Sequence, residues 1–291
     1  MTDFKKVGVL GAGLMGSGIA EIVAKAGYET VVREVDESLV AKGRKKIEGS
    51  LGKAVEKGKL EASAREKIAE RISYTTELDS MGDCDLILEA IVENLDVKRQ
   101  TYGTLDRVCG EGAIFCSNTS SLTITEMAAA TKRAERFAGL HFFNPVPVMK
   151  LVEVVRALAT SDDTFQKVFR FAQSLGKEPI ACRDNSGFVV NRLLVPYLLD
   201  AIRAYEEGIG SMEDIDKGMR YGCAHPMGPF ELLDYVGLDT TYAIAEIMFA
   251  EYREKRFASP PLLKRMVLAG RYGRKSGRGF FEYDEKGARK G

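Results

Sequence analysis

In "VGVLGAGLMGSG" an apolar run passes straight into Gly11-x-Gly13-x-x-Gly16 and then into a helical pattern, and few folds accommodate that junction. Each glycine has a physical reason to be there. Gly11 permits a tight turn, Gly13 lets the backbone approach a pyrophosphate, and Gly16 allows close helix packing, while the first helical N–H groups face the anion. Gly11, Gly13, Leu14, Met15 and Gly16 are therefore candidate coenzyme contacts. The next apolar run, "YETVVRE", ends in Glu34 about twenty residues on, where a carboxylate accepts hydrogen bonds from an adenosine ribose. A carboxylate there disfavours a 2′-phosphate, so NAD is expected over NADP. Arg33 beside it leaves NADP open. The bland alternative is a structural glycine turn with no ligand.

Beyond this βαβ unit, residues 37–71 read as two charged helices broken at Lys57-Gly58-Lys59. The runs "CDLILEAIVE", "GAIFCSN", "FAGLHFF" and "KLVEVV" follow, separated by helical or turn segments. Such alternation predicts an α/β, Rossmann-type, doubly wound and mostly parallel sheet over 1–184, with the helical pair as an insertion. After "RDNSG" the texture changes to helical spacing almost throughout, so an all-helical domain is expected over 185–291. The terminal "DEKGARKG" reads as a frayed tail.

Composition narrows the function classes. Lys plus Arg and Asp plus Glu each total 42, which leaves no global footprint for nucleic acid or an anionic membrane. The 5 cysteines are scattered without a CxxC pair, so no zinc site or disulfide framework is expected, and a reducing compartment is the simplest reading. No apolar run approaches membrane-spanning length, and the strand pattern begins too early for a targeting peptide; the expectation is a cytoplasmic protein.

Three further clusters carry possible chemistry. Lys46, Ser50, Lys53 and Lys57 share one helix face opposite Ile47, Leu51 and Ala54, as a solvated amphipathic helix or as a polyphosphate contact. His141, one of 2 histidines, ends one apolar run and Glu153 lies in the next, with Asn144-Pro145-Val146-Pro147 turning the chain between them. NAD-linked alcohol oxidation needs a base that titrates near neutrality, and a carboxylate on its other nitrogen fixes the tautomer. The alternative is a core histidine, with Glu153 in solvent or paired to Arg156. "SNTSS" at 117–121 belongs at the carboxyl end of a strand, as a ligand contact or as a helix cap. Asn191, polar within an apolar helical stretch, is either a satisfied amide or a donor to substrate.

Taken in order, "VGVLGAGLMGSGIA", "EAIVEN", "SNTSSL", "HFFNPVPVMKLVEVV", "GFVVNRLLVPYL", "HPMGPFELLDYVGLD" and "GRKSGRGF" resemble the short-chain L-3-hydroxyacyl-CoA dehydrogenase family over essentially the whole chain. The resemblance implies that His141 takes the 3-hydroxyl proton and Glu153 orients it, with Ser120 and Asn191 holding the substrate oxygen. It implies that Glu34 takes the adenosine ribose, although the family often carries Asp there. Glu93, Lys98, Ser120 and Asn144 would line the nicotinamide end, and Lys275 would reach the coenzyme. Ser50 and Lys57, with Lys53 as helper, would contact coenzyme A. A homodimer joined through the helical domain and a site that closes between the domains are also implied. The rivals are a dehydrogenase of free hydroxy acids or sugar acids and a non-catalytic dinucleotide-binding protein.

Overall fold

The computed structural model describes residues 4–290, which fall into two compact units, one ending at Asn185 and one starting at Ser186. In the first, β1 (Lys6–Leu10), α1 (Leu14–Lys25) and β2 (Glu29–Arg33) form the opening βαβ unit, followed by α2 (Glu37–Glu56), α3 (Ala62–Glu70) and β3 (Ile72–Thr75). Then come β4 (Leu86–Glu89), α4 (Leu95–Val108), β5 (Ile114–Ser117), α5 (Ile124–Ala128), β6 (Phe137–Phe142), β7 (Leu151–Arg156), α6 (Asp162–Ser174) and β8 (Glu178–Arg183). The sheet order is β3-β2-β1-β4-β5-β6-β7-β8. All neighbours are parallel except β6 and β7. The chain winds outward from β1 to β3, then crosses back to β4 on the other side of β1, so the carboxyl ends of β1 and β4 flank the switch point where ligands gather.

Two strands have no counterpart among the apolar runs of the sequence, and both are edges. β3 ("ISYT") and β8 ("EPIACR") are each only partly buried. Pro179 in β8 has no N–H to give, which an edge strand tolerates. The central strands β4, β5 and β6 are buried throughout, as expected where helices cover both faces.

Alternation along the strands sorts the two faces. Val7, Val9, Leu86, Leu88, Ile114, Cys116, Ala138, Leu140, Val152 and Val154 share one core with apolar residues of α1, α2, α3 and α6. The intervening side chains therefore project to the opposite face, where Tyr102 of α4 packs its ring against Phe115 and Phe137. Glu89, Ser117, His141 and Glu153 all fall on this second face. Four buried polar residues on an otherwise apolar layer mark it as the working side of the sheet.

The second unit contains α7 (Val190–Glu206), α8 (Met212–Gly222), α9 (Pro229–Val236), α10 (Leu238–Tyr252) and α11 (Pro261–Leu268). Its core is built from Leu198, Leu199, Ile202, Phe230, Leu233, Leu238, Met248, Phe257 and Leu263. Two buried aspartates tie it together. Asp216 accepts from the Phe230 and Glu231 N–H groups at the start of α9 (2.8 and 3.1 Å). Asp234 accepts from Phe280 N, Phe281 N and the Tyr283 hydroxyl (2.9, 2.8 and 3.0 Å). The terminal segment is accordingly not frayed as its composition suggests. Tyr283 bridges to Arg289, whose guanidinium lies 3.5 Å over Phe281 and pairs with Glu213 at 3.0 Å. Only Gly291 of that segment lies outside the described residues.

Candidate active site

At the switch point the glycine loop has the geometry a dinucleotide needs. Gly11 sits at φ +88°, and a Cβ there would meet the Ala90 carbonyl at 2.6 Å. Gly16 is packed tighter still, 1.8 Å from the Gly11 carbonyl oxygen for an added Cβ, whereas Gly13 has nothing within 4 Å. No side chain caps α1 and no acidic residue lies in its first turn, so the N–H groups of Leu14, Met15 and Gly16 are available to an anion. Leu14 itself is exposed. Glu34, just past β2, accepts from Ala12 N at 2.5 Å and Val35 N at 3.2 Å and lines a cavity of about 410 Å³ with Ala12, Gly13, Leu39, Lys42, Lys45 and Lys46. These residues fit the adenosine and pyrophosphate portions of NAD.

The contrast between the glycines is testable. Gly16→Ala is expected to lower the melting temperature, because backbone must shift to admit the methyl group. Gly13→Val is expected to leave the melting temperature within a degree or two, yet weaken NADH binding by about tenfold or more, since its side chain enters space left for the ligand. Fluorescence titration of NADH beside thermal melting checks both; unaltered NADH affinity in Gly13→Val removes the loop from the coenzyme site.

On the second face, β6 and β7 pair antiparallel with His141 directly opposite Glu153. The His141 Nδ1 lies 2.7 Å from Glu153 Oε2, with both residues buried. Arg156, the other partner open to Glu153, pairs instead with Asp162 at 2.5 Å and stacks on Phe165. Cys182 Sγ lies 3.9 Å from the second carboxylate oxygen. The other histidine, His225, has the Tyr197 hydroxyl 3.3 Å from its Nδ1, a neutral partner.

Between the loop and this pair runs a network that joins Glu93, Lys98 and the 117–121 cluster through Glu89, the one member the sequence reading missed. Glu89, at the end of β4, accepts from Lys98 Nζ (2.5 Å), Ser117 Oγ (2.6 Å) and Ile91 N (2.8 Å). Lys98 also reaches Glu93 Oε2 at 3.2 Å. Glu93 in turn accepts from the Thr119 hydroxyl, from Ser120 N at 3.3 Å and from Ser121 Oγ at 3.3 Å. Lys98, named for the nicotinamide end from the resemblance, is 1% exposed and links Glu89 to Glu93. The Ser120 hydroxyl, half-buried, has no partner among the described residues. An acid closing an apolar run, as in "DLILE", was the available signal for Glu89, because that end of a strand faces the ligand crevice.

Several foreseen residues are engaged differently. No Ser or Thr side chain caps α5; Asp184 does, accepting from Ile124 N (2.9 Å) and Thr125 N (2.7 Å). The Ser50 hydroxyl bonds to Glu21 of α1, whose carboxyl burial pushes upward in pKa and Ser50 pulls back. Lys53 is exposed in the last turn of α2, Lys57 is its C-cap residue rather than a helical one, and Lys46 belongs to the Glu34 cavity. Asn144 is exposed after β6. In the second unit, Asn191 is half-buried in the first turn of α7, and Lys275 Nζ pairs with Asp239 at 2.6 Å. Burial pushes the Cys84 thiol up to about 12 and the Cys109 thiol to about 11, so neither supplies a thiolate near neutrality. No metal-binding group of His, Cys, Asp or Glu side chains, and no helix long and apolar enough to cross a membrane, occurs among the described residues.

Comparison with known proteins agrees with this geometry. Residues 6–185 match the family model described as 3-hydroxyacyl-CoA dehydrogenase, NAD binding domain, and residues 187–283 match 3-hydroxyacyl-CoA dehydrogenase, C-terminal domain. The chain is 50% identical to a 3-hydroxybutyryl-CoA dehydrogenase of Mycobacterium tuberculosis over 286 residues, covering 97% of this chain and 100% of that one. It is 49% identical to the human mitochondrial hydroxyacyl-coenzyme A dehydrogenase, covering 96% of this chain and 91% of the relative. The crystal structure of (S)-3-hydroxybutyryl-CoA dehydrogenase from Ralstonia eutropha superposes with a TM-score of 0.93 at 42% identity, covering 97% of this chain and 100% of that one.

Proposed function

Because the chain belongs to the 3-hydroxyacyl-CoA dehydrogenase family, we propose that it interconverts a short-chain (S)-3-hydroxyacyl-CoA, 3-hydroxybutyryl-CoA foremost, and the 3-oxoacyl-CoA, using NAD. The observation that carries the reading is the cross-strand His141–Glu153 pair. NAD supplies the hydride acceptor when bound. His141 removes the proton from the 3-hydroxyl oxygen through Nε2 as the hydride leaves C3, so the C–O bond becomes a carbonyl. In the reverse direction the same nitrogen returns the proton. Glu153, accepting from Nδ1–H, keeps Nε2 as the basic nitrogen and stabilises the imidazolium formed during turnover. The unpartnered Ser120 hydroxyl supplies a donor for the substrate oxygen.

The same reading assigns Asn144, Glu93 and Lys98 to the nicotinamide end, Asn191 to the substrate oxygen, and Ser50, Lys53 and Lys57 to coenzyme A. It assigns Lys275 to the coenzyme, which requires its ammonium to leave Asp239. A homodimer joined through the helical unit is part of it, supported by the exposed Leu193, Ile209, Tyr221 and Leu268 there. A cytoplasmic setting accords with 5 free cysteines, Cys84, Cys109, Cys116 and Cys182 among them buried.

Absorbance at the NADH band on adding acetoacetyl-CoA, with free acetoacetate alongside, tests the reaction. Rapid NADH consumption that requires the coenzyme A ester is expected. Equal rates with the free acid, or no turnover by protein that still binds NADH, overturn the substrate assignment.

A further inference from the structure

Among the described residues, Glu34 is the only acidic one lining its cavity, and the other charged residues there are Lys42, Lys45 and Lys46. The lysines sit at i, i+3 and i+4 on α2, so they present one face toward the same space. Lys42 also feels the Asp36 carboxylate at the start of α2, and Lys45 and Lys46 appear in no ion pair among the described residues. The nearby arginines are occupied elsewhere: Arg33 donates its Nε–H to the Thr76 carbonyl at 3.0 Å, and Arg44 lies 4.6 Å over the Tyr74 ring. The cation expected from sequence to admit a 2′-phosphate was Arg33, and it does not line this cavity. Three ammonium groups do.

We propose that Lys42, Lys45 and Lys46 form a binding site for a ribose phosphomonoester, and that Glu34 alone keeps it closed to the 2′-phosphate of NADPH. This rests on residues 11–16 and 34 being the coenzyme site. The carboxylate cannot swing aside without giving up the Ala12 and Val35 N–H groups. A dianionic phosphate placed beside it meets like charge at short range, while the ammonium groups attract it. Removing one negative charge leaves the cavity wholly cationic.

The test is a fluorescence titration with NADH and with NADPH, which needs no turnover. Glu34→Gln, which keeps the shape, and Glu34→Ser, which removes the bulk, are each expected to raise the ratio of NADPH to NADH affinity by about tenfold or more. Adding Lys42→Ala, Lys45→Ala and Lys46→Ala to Glu34→Gln is expected to cancel that gain, and the NADPH affinity of Glu34→Gln is expected to fall more steeply with salt than its NADH affinity. No gain in either Glu34 variant, or a gain that survives loss of the lysines, overturns the proposal. Loss of NADH binding in the lysine variants to the same degree as NADPH binding also overturns it. The same phosphomonoester chemistry occurs at the 3′ position of coenzyme A. A lysine-dependent change in KM for acetoacetyl-CoA but not for its 3′-dephospho analogue, with NADPH affinity unmoved, reassigns the site to the substrate. A failure of the acyl-CoA reading leaves the nucleotide titrations interpretable, and loss of all nucleotide binding in the unaltered protein marks failure of the coenzyme site instead.

Discussion

His141→Ala lowers kcat with acetoacetyl-CoA and NADH by about 10²–10⁴-fold, the usual contribution of a general acid or base, with KM for NADH moved far less. The expectation follows from position rather than from residue type. The imidazole is buried, with Nδ1 2.7 Å from a carboxylate on the facing strand. Glu153→Gln preserves size, but its amide can present N–H to Nδ1 and select the tautomer with the proton on Nε2. In this reducing direction His141 gives its proton as the imidazolium, which a neutral amide does not stabilise, so Glu153→Gln is expected to lower kcat by more than about tenfold. Residues that act as one unit are non-additive, so the double variant is expected to be hardly slower than His141→Ala alone. Single-turnover kinetics with saturating NADH measure the chemical step. Unchanged kcat in His141→Ala, or fully multiplicative losses in the double variant, removes the pair from proton transfer.

The placement of this pair shows where sequence reasoning stops. The eight residues between β6 and β7 are too few for a parallel crossover, which needs a dozen or more, so an antiparallel neighbour was legible from length alone. Register was not. A slip of one residue would turn Glu153 to the other face, and what prevents it is the packing of Val152 and Val154 into the core with α6. The central strands announced themselves as apolar runs because helices bury both their faces. β3 and β8 did not, because an edge strand keeps polar residues and even Pro179. The Asp184 cap of α5 was equally hidden: its partners are Ile124 and Thr125, about 60 residues upstream, and only the fold brings them together. Lys98 was tied to the nicotinamide end by the family resemblance alone, and its burial was not legible because it depends on an acid across the turn between β4 and α4.

That burial makes Lys98→Met the substitution with the largest expected cost in stability. Glu89 is 0% exposed, and removing the ammonium 2.5 Å from its Oε1 leaves a carboxylate in the interior without its cation. Breaking a buried pair from one side typically costs about 3–5 kcal/mol, whereas replacing both members by neutral groups of similar shape is often close to neutral. Lys98→Met should therefore melt about 6–20 °C lower, given roughly 2–4 °C per kcal/mol for a protein of this size range. Adding Glu89→Gln should recover much of the loss, since the neutral amide oxygen it introduces can still accept from Ser117 or Ile91. Activity should not recover with it. In both variants Glu93 has lost the cation that holds its Oε2, and Glu93 is what Thr119, Ser120 and Ser121 bond to. With that loop loosened, KM for NADH and kcat are expected to remain impaired at temperatures where the double variant is fully folded. Melting curves paired with steady-state kinetics separate the two effects. If the double variant regains both stability and wild-type kinetics, Lys98 serves only to neutralise Glu89. If Lys98→Met alone melts like the wild type, the buried charge has another partner and the link from β4 to Ser120 is not what holds the loop.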